Sequence, residues 1–127
     1  MILSIGIDLI EISRIAGALE RLGTRFRDRV FTPAEIEYCE GQASAAASYA
    51  ARFAAKEAVM KAIGEGWFDG VKWKDIEVIR PHGGRPSIKL AGRAKDSLSR
   101  AGACTTHLSL SHSRGLAIAQ VVIETSA

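Results

Sequence analysis

The chain has 127 residues, 47% apolar and 24% charged, with a formal net charge of +3. That length suits one domain, spanning 1–127, with a core of its own, and no apolar run approaches a membrane span of ~20 residues. Its two cysteines, Cys39 and Cys104, lie far apart and outside any CxxC pairing, which argues against a disulfide framework or a zinc site and for two reduced, mostly buried thiols. Met1-Ile2-Leu3-Ser4 lacks the positive start and small-residue cleavage site of a signal peptide, so the expected location is the cytoplasm. Arginine outnumbers lysine by 11 to 6, a balance that suits an anionic partner without selecting one.

In chain order, Ile2–Ile10 is strongly apolar and predicts a buried strand with Asp8 near its end. Glu11 or Ser13 can cap a following helix to about Leu22. Its buried stripe would be Ile12, Ile15, Leu19 and Leu22, and Gly23 would stop it. Residues 25–31 form a short basic stretch. Thr32-Pro33-Ala34-Glu35 is a helix start: a capping residue, proline in the first turn, and glutamate three residues after the cap. That short helix ends near Gly41. A long alanine-rich helix is predicted from Ser44 to Ile63 and stops at Gly64. Tyr49, Phe53, Met60 and Ile63 are its large apolar groups. Ala50, Ala51, Ala54, Ala55 and Ala58 leave room for another backbone. A loop, a strand over 74–79, a turn over 81–86 and a returning strand over 87–90 come next. A helix over 92–101, an alternating strand over 105–111, a turn at 113–115 and a last apolar strand over 116–123 complete the chain. The order is mixed α+β: mostly antiparallel sheet packed on a long central helix and shorter helices.

Two acidic positions stand out. Asp8 sits among apolar, β-prone residues; it is either a helix-capping aspartate or a metal ligand at a strand end. Glu57 either pairs with Lys61 one turn on, at the surface, or is a partly buried carboxylate on the row of Phe53. Two carboxylates in apolar settings with lysines nearby are what a magnesium–phosphate site requires. Lys61, one turn beyond Glu57, would meet the same phosphate chain as the metal. His112, between serines at a strand end, can bond phosphate or act as an acid–base group, or it can be structural; His82 and His107 read as structural. Arg14, Arg21 and Arg25 form a basic patch that either aids solubility or docks an acidic helix. No Ser-His-Asp triad, Walker loop or GxGxxG is evident. A small basic nucleic-acid-binding module and a metal-dependent nucleotide phosphohydrolase are the other readings. The first lacks interleaved aromatics and a dense basic stripe.

Taken together, IGIDLIEISRI at 5–15, RFAAKEAVMKAIGEG at 52–66, GRPSIKL at 84–90 and LSLSHSRGLAIAQVV at 108–122 resemble the phosphopantetheinyl transferases, in their small single-domain branch. The resemblance runs the length of the chain in the same order. It implies transfer of the phosphopantetheine arm of coenzyme A to a serine of apo-acyl carrier protein, with no role for nucleic acid or membrane. It implies Asp8 and Glu57 as magnesium ligands, and Glu57 and Lys61 as the groups nearest the reaction. Arg52, Lys56, Lys61, Gly64, Pro86, Ser111 and His112 would bind coenzyme A, and Arg14, Arg21 and Arg25 would dock the carrier. The family's small members are similar in forming homotrimers with shared active sites. Leu116 stands where many relatives carry an aromatic residue, a departure expected to affect packing only.

Overall fold

The computed structural model describes residues 1–66, 69–81 and 84–126, and of Cys104 the backbone alone. His82, read above as structural, and the Cys104 side chain, read above as a reduced, mostly buried thiol, therefore lie outside the described residues. Strand β1 (Ile2–Glu11) leads into helices α1 (Ile12–Leu22), α2 (Thr24–Val30), α3 (Pro33–Glu40) and α4 (Ala45–Ile63). A 3₁₀ turn (Trp73–Asp75), β2 (Ile76–Ile79), β3 (Ser87–Leu90), α5 (Gly92–Arg100), β4 (Ala103–Ser113) and β5 (Leu116–Thr125) follow. Two antiparallel sheets form, β1-β5-β4 and β2-β3, as the α+β reading expects.

Helix α4 lies across the inner face of the larger sheet. Strand geometry points alternate residues inward. Ser4, Gly6, Asp8 and Ile10 of β1 therefore share a face with Ala117, Ala119, Val121 and Ile123 of β5. All four of those β5 side chains are fully buried. Small residues on both partners bring the backbones together. A side chain on Gly6 would collide with the Ala58 carbonyl, and Ser4 Oγ donates to the Ala62 carbonyl at 2.7 Å. The ends of α4 follow the sequence signals: Ser44 Oγ accepts from Ala47 N at 3.3 Å, and Gly64 closes the helix in the left-handed conformation. At Thr32 the expected reciprocal cap is complete.

Three expectations need correction, and one stretch gains an element. β1 is buried on one face only: Ile5, Ile7 and Leu9 are 53%, 52% and 60% exposed, because no described element covers the outer face. The basic stretch 25–31 is mostly helix α2, which buries Val30. Leu22, placed in the buried stripe of α1, is exposed. Neither Glu11 nor Ser13 caps α1. Glu11 holds the cap position without a side-chain bond, and Ile12 N donates instead to the Gly115 carbonyl at 2.8 Å. That carbonyl belongs to a two-residue hairpin, where Arg114 and Gly115 both take positive φ.

Gly6→Ala should destabilise the fold by about 1–3 kcal/mol, because the obstructing atom is backbone and cannot rotate away. Thermal denaturation should show the loss, and an unchanged melting temperature would contradict the close packing of β1 on α4.

Candidate active site

Close packing of β1 on α4 brings Asp8 against the helix. Lys61 Nζ donates to Asp8 Oδ1 at 2.9 Å and to the Ile7 carbonyl at 3.2 Å. Lys61 is thus paired with the aspartate from β1, 53 residues away, rather than with Glu57 on its own helix. Glu57 is half-buried. Burial pushes its carboxyl pKa above the ordinary range, the negative charge of Asp8 adds to the rise, and Lys61 and Arg14 oppose it. Two carboxylates and two cations therefore share one field.

A desolvated carboxylate beside a second one is the donor set that a hard divalent cation stabilises. Magnesium takes one or two protein carboxylates and completes its shell from phosphates and water. Among the described residues no cluster of three or more His, Cys, Asp or Glu side chains forms a metal cage. The Asp8–Glu57 pair fits magnesium on those terms.

A second group lies on the other flank of α4. Arg52 and Glu57 are five residues apart, which turns them about 140° from each other around the helix axis. Arg52 is 3% exposed, and its guanidinium stacks 4.1 Å from the Tyr38 ring centre. Nη1 donates to the Ser48 carbonyl at 3.3 Å, while Nε and Nη2 have no partner among the described residues. Buried donors left unpaired are costly. The Arg52 side chain borders a cavity of about 620 Å³ together with Arg80, Ser111 and His112. Arg80 and Tyr38 carry no sequence signal that would have singled them out.

Lys56 is placed differently from the sequence expectation. It is fully buried, and its ammonium donates to Glu35 Oε1 at 2.8 Å, to the Trp73 carbonyl at 3.1 Å and to the Ile76 carbonyl at 2.6 Å. All three donors are occupied, so none is left for a ligand. Burial lowers its pKa, while the Glu35 charge and hydrogen bond oppose that.

Of the remaining residues, Arg14 bears on the first group through its charge on Glu57. Gly64 ends α4 and Pro86 precedes β3. Arg14, Arg21 and Arg25 are exposed on α1 and α2, with Arg21 Nε donating to the Gly17 carbonyl at 3.2 Å. His107 pairs with Glu124 across β4 and β5 at 2.5 Å. Cys39 is a buried free thiol whose pKa is pushed up to about 12, chiefly by desolvation, which leaves it unreactive.

Because Glu57 titrates higher in the folded chain than in the unfolded one, the native state binds the extra proton between the two values. Its stability contribution is lost as pH rises through that interval. Glu57→Gln carries no such cost, so without added metal it should melt above the wild type at neutral pH. The difference should shrink below the ordinary carboxylate range. A variant melting at or below wild type at neutral pH would mean that Glu57 is not held in an unfavourable charged state.

The sequence and the arrangement of the chain are similar to those of known proteins. A 4'-phosphopantetheinyl transferase superfamily model matches residues 4–120. The holo-[acyl-carrier-protein] synthase of Koribacter versatilis is 50% identical over 124 residues, covering 98% of this chain and 99% of that protein. That of Geobacter sp. (strain M21) is 46% identical over 124 residues, with coverage of 98% and 99%. Among solved structures, holo-[acyl-carrier-protein] synthase from Neisseria meningitidis superposes with a TM-score of 0.87 at 32% identity, covering 98% of this chain and 100% of that one. The Helicobacter pylori enzyme in complex with coenzyme A gives 0.82 at 32% identity, covering 94% and 99%. The chain belongs to the 4'-phosphopantetheinyl transferase superfamily, among the enzymes of its holo-acyl-carrier-protein synthase group.

Proposed function

We propose that this chain transfers the 4'-phosphopantetheine group of coenzyme A to a serine of apo-acyl carrier protein, releasing adenosine 3',5'-bisphosphate. The observation that carries the reading is the meeting of Asp8, Glu57 and Lys61 across the β1–α4 contact. Asp8 and Glu57 would hold a magnesium ion. Bound there, the ion would neutralise charge on the coenzyme A pyrophosphate.

The chain's own groups supply the rest. The carrier serine oxygen attacks the phosphorus bearing the pantetheine arm, and the bond from that phosphorus to the bridging pyrophosphate oxygen breaks. Glu57 takes the serine proton. Lys61 has given two of its three donors to Asp8 and Ile7, and directs the third toward the leaving phosphate. Arg14, Arg21 and Arg25 meet the acidic carrier and steer its approach.

Arg52, Ser111 and His112 would bind the other end of coenzyme A. They lie on the opposite flank of α4 from Glu57, and we take the two sets that meet one coenzyme A to come from neighbouring copies. The apolar outer face of β1 is where a second copy would pack, with Ile5, Ile7, Leu9 and Leu116 uncovered. We take the assembly to be a homotrimer with each coenzyme A held between neighbours.

Incubation with coenzyme A, magnesium and an apo carrier should add one phosphopantetheine to the carrier by intact mass. Asp8→Ala should lower that rate by at least about a hundredfold while the chain stays folded. Full turnover in the folded variant would remove the metal-ligand assignment.

Ile7→Glu puts a charge at the centre of the uncovered face. Light scattering should show the trimer reduced to monomer, with transfer lost alongside. A monomeric variant that transfers at the wild-type rate would mean that one copy suffices.

A further inference from the structure

The buried Lys56–Glu35 pair is not used by the chemistry above, yet it occupies a junction. Glu35 Oε1 accepts from both Lys56 and Thr32 N, the latter at 2.9 Å, and Oε2 accepts from Val78 N at 2.9 Å. Lys56 in turn holds the carbonyls of Trp73 and Ile76. One ion pair thus ties the α3 cap, α4, the 3₁₀ turn and β2. Thr32 Oγ1 adds a bond to Glu77 Oε2 at 2.5 Å.

Lys56 holds Trp73 by its backbone carbonyl. The Trp73 ring stacks on Phe53, with centroids 5.0 Å apart and planes 25° from parallel. Phe53 lies one helical turn before Glu57, on the same row of α4. Phe53 also packs against Phe26 of α2, centroid to centroid 6.4 Å. Phe26, Phe53 and Trp73 are all partly exposed. They form an aromatic shelf, Phe26–Phe53–Trp73, whose first member follows Arg25 in sequence and whose middle member lies one helical turn from Glu57.

We propose that Lys56 and Glu35 are positioning residues, which fix Trp73 on Phe53 so that the shelf aligns the incoming carrier with Glu57. This inference rests on the transferase reading above. A polar pair this deep does not add stability in proportion to its desolvation; its satisfied bonds define one geometry. A carrier serine must arrive within bonding reach of its phosphorus, and a 1 Å misplacement can cost about a hundredfold in rate. The shelf lies on the docking side of α4, away from Arg52 and its cavity, so the effect should fall on the carrier and spare coenzyme A.

The test replaces the pair by a neutral one, Lys56→Met with Glu35→Gln, so that no unpaired charge is left buried. Chains labelled with 5-fluorotryptophan report Trp73 through the fluorine resonance that disappears in Trp73→Leu. The folded double variant should show that resonance shifted toward the solvent position. Its kcat/KM for carrier should fall by about tenfold while KM for coenzyme A stays within about twofold. A folded double variant with an unmoved resonance, or with wild-type kcat/KM for carrier, overturns the inference. If the double variant does not fold, Trp73→Leu decides: the same selective loss supports the role, and wild-type kcat/KM for carrier overturns it. A wild-type chain that transfers nothing would refute the transferase reading itself. A wild-type chain that transfers, alongside unimpaired variants, refutes this inference alone.

Discussion

The approach of β1 to α4 is the contact on which the rest depends. It is possible because Gly6 has no side chain and because the helix presents alanine at 54, 55 and 58. A larger residue at either surface would lift the strand from the helix. Asp8 follows Gly6 by two residues, so it points to the same side of the strand. Lys61 follows Ala58 by three, so it lies on the neighbouring row of the helix. Shape alone therefore sets how far Asp8 stands from Glu57 and Lys61. Electrostatics then acts on groups already in place: the half-buried Glu57 carboxyl is pushed up, and Lys61 leans to Asp8.

Much of this was legible in the chain. The Thr32–Glu35 cap, the alanine run closed by Gly64 and the alternation of β4 each rest on local rules, and the elements appear where those rules put them. The pairing of positions 8 and 57 was legible as chemistry, since an apolar setting makes a carboxylate conspicuous. Helix α2 was not legible, because its arginines obscure the one side chain it buries, Val30. Its helicity comes from packing rather than from pattern.

Lys56 is the instructive miss. It adjoins Glu57 in sequence, and its chemistry suits phosphate, so proximity along the chain suggested a shared site. One residue is about 100° of helix, and that rotation carries the ammonium into the interior. Its partner, Glu35, had already been read as a capping residue. That reading was correct and incomplete: the carboxylate caps α3 and accepts from Lys56 at once. A glutamate with two oxygens can serve several donors, and sequence rules credit it with one.

The same geometry sets the two groups of ligand-binding candidates on opposite flanks of α4. The sheet-facing alanines of α4 occupy the arc between Glu57 and Arg52. Whatever follows β1 sits by Glu57, and whatever ends on β4 sits by Arg52, because those strands are the two edges of the sheet. On the proposed reading a second copy brings the two sets to one coenzyme A. The outer face of the same sheet, apolar along β1 and free of any covering element among the described residues, is the surface with reason to recruit one. On the proposed reading, assembly and substrate binding are therefore one requirement. The strand that delivers Asp8 inward exposes Ile5, Ile7 and Leu9 outward, so the alternation that builds half of a site also builds the means of completing it.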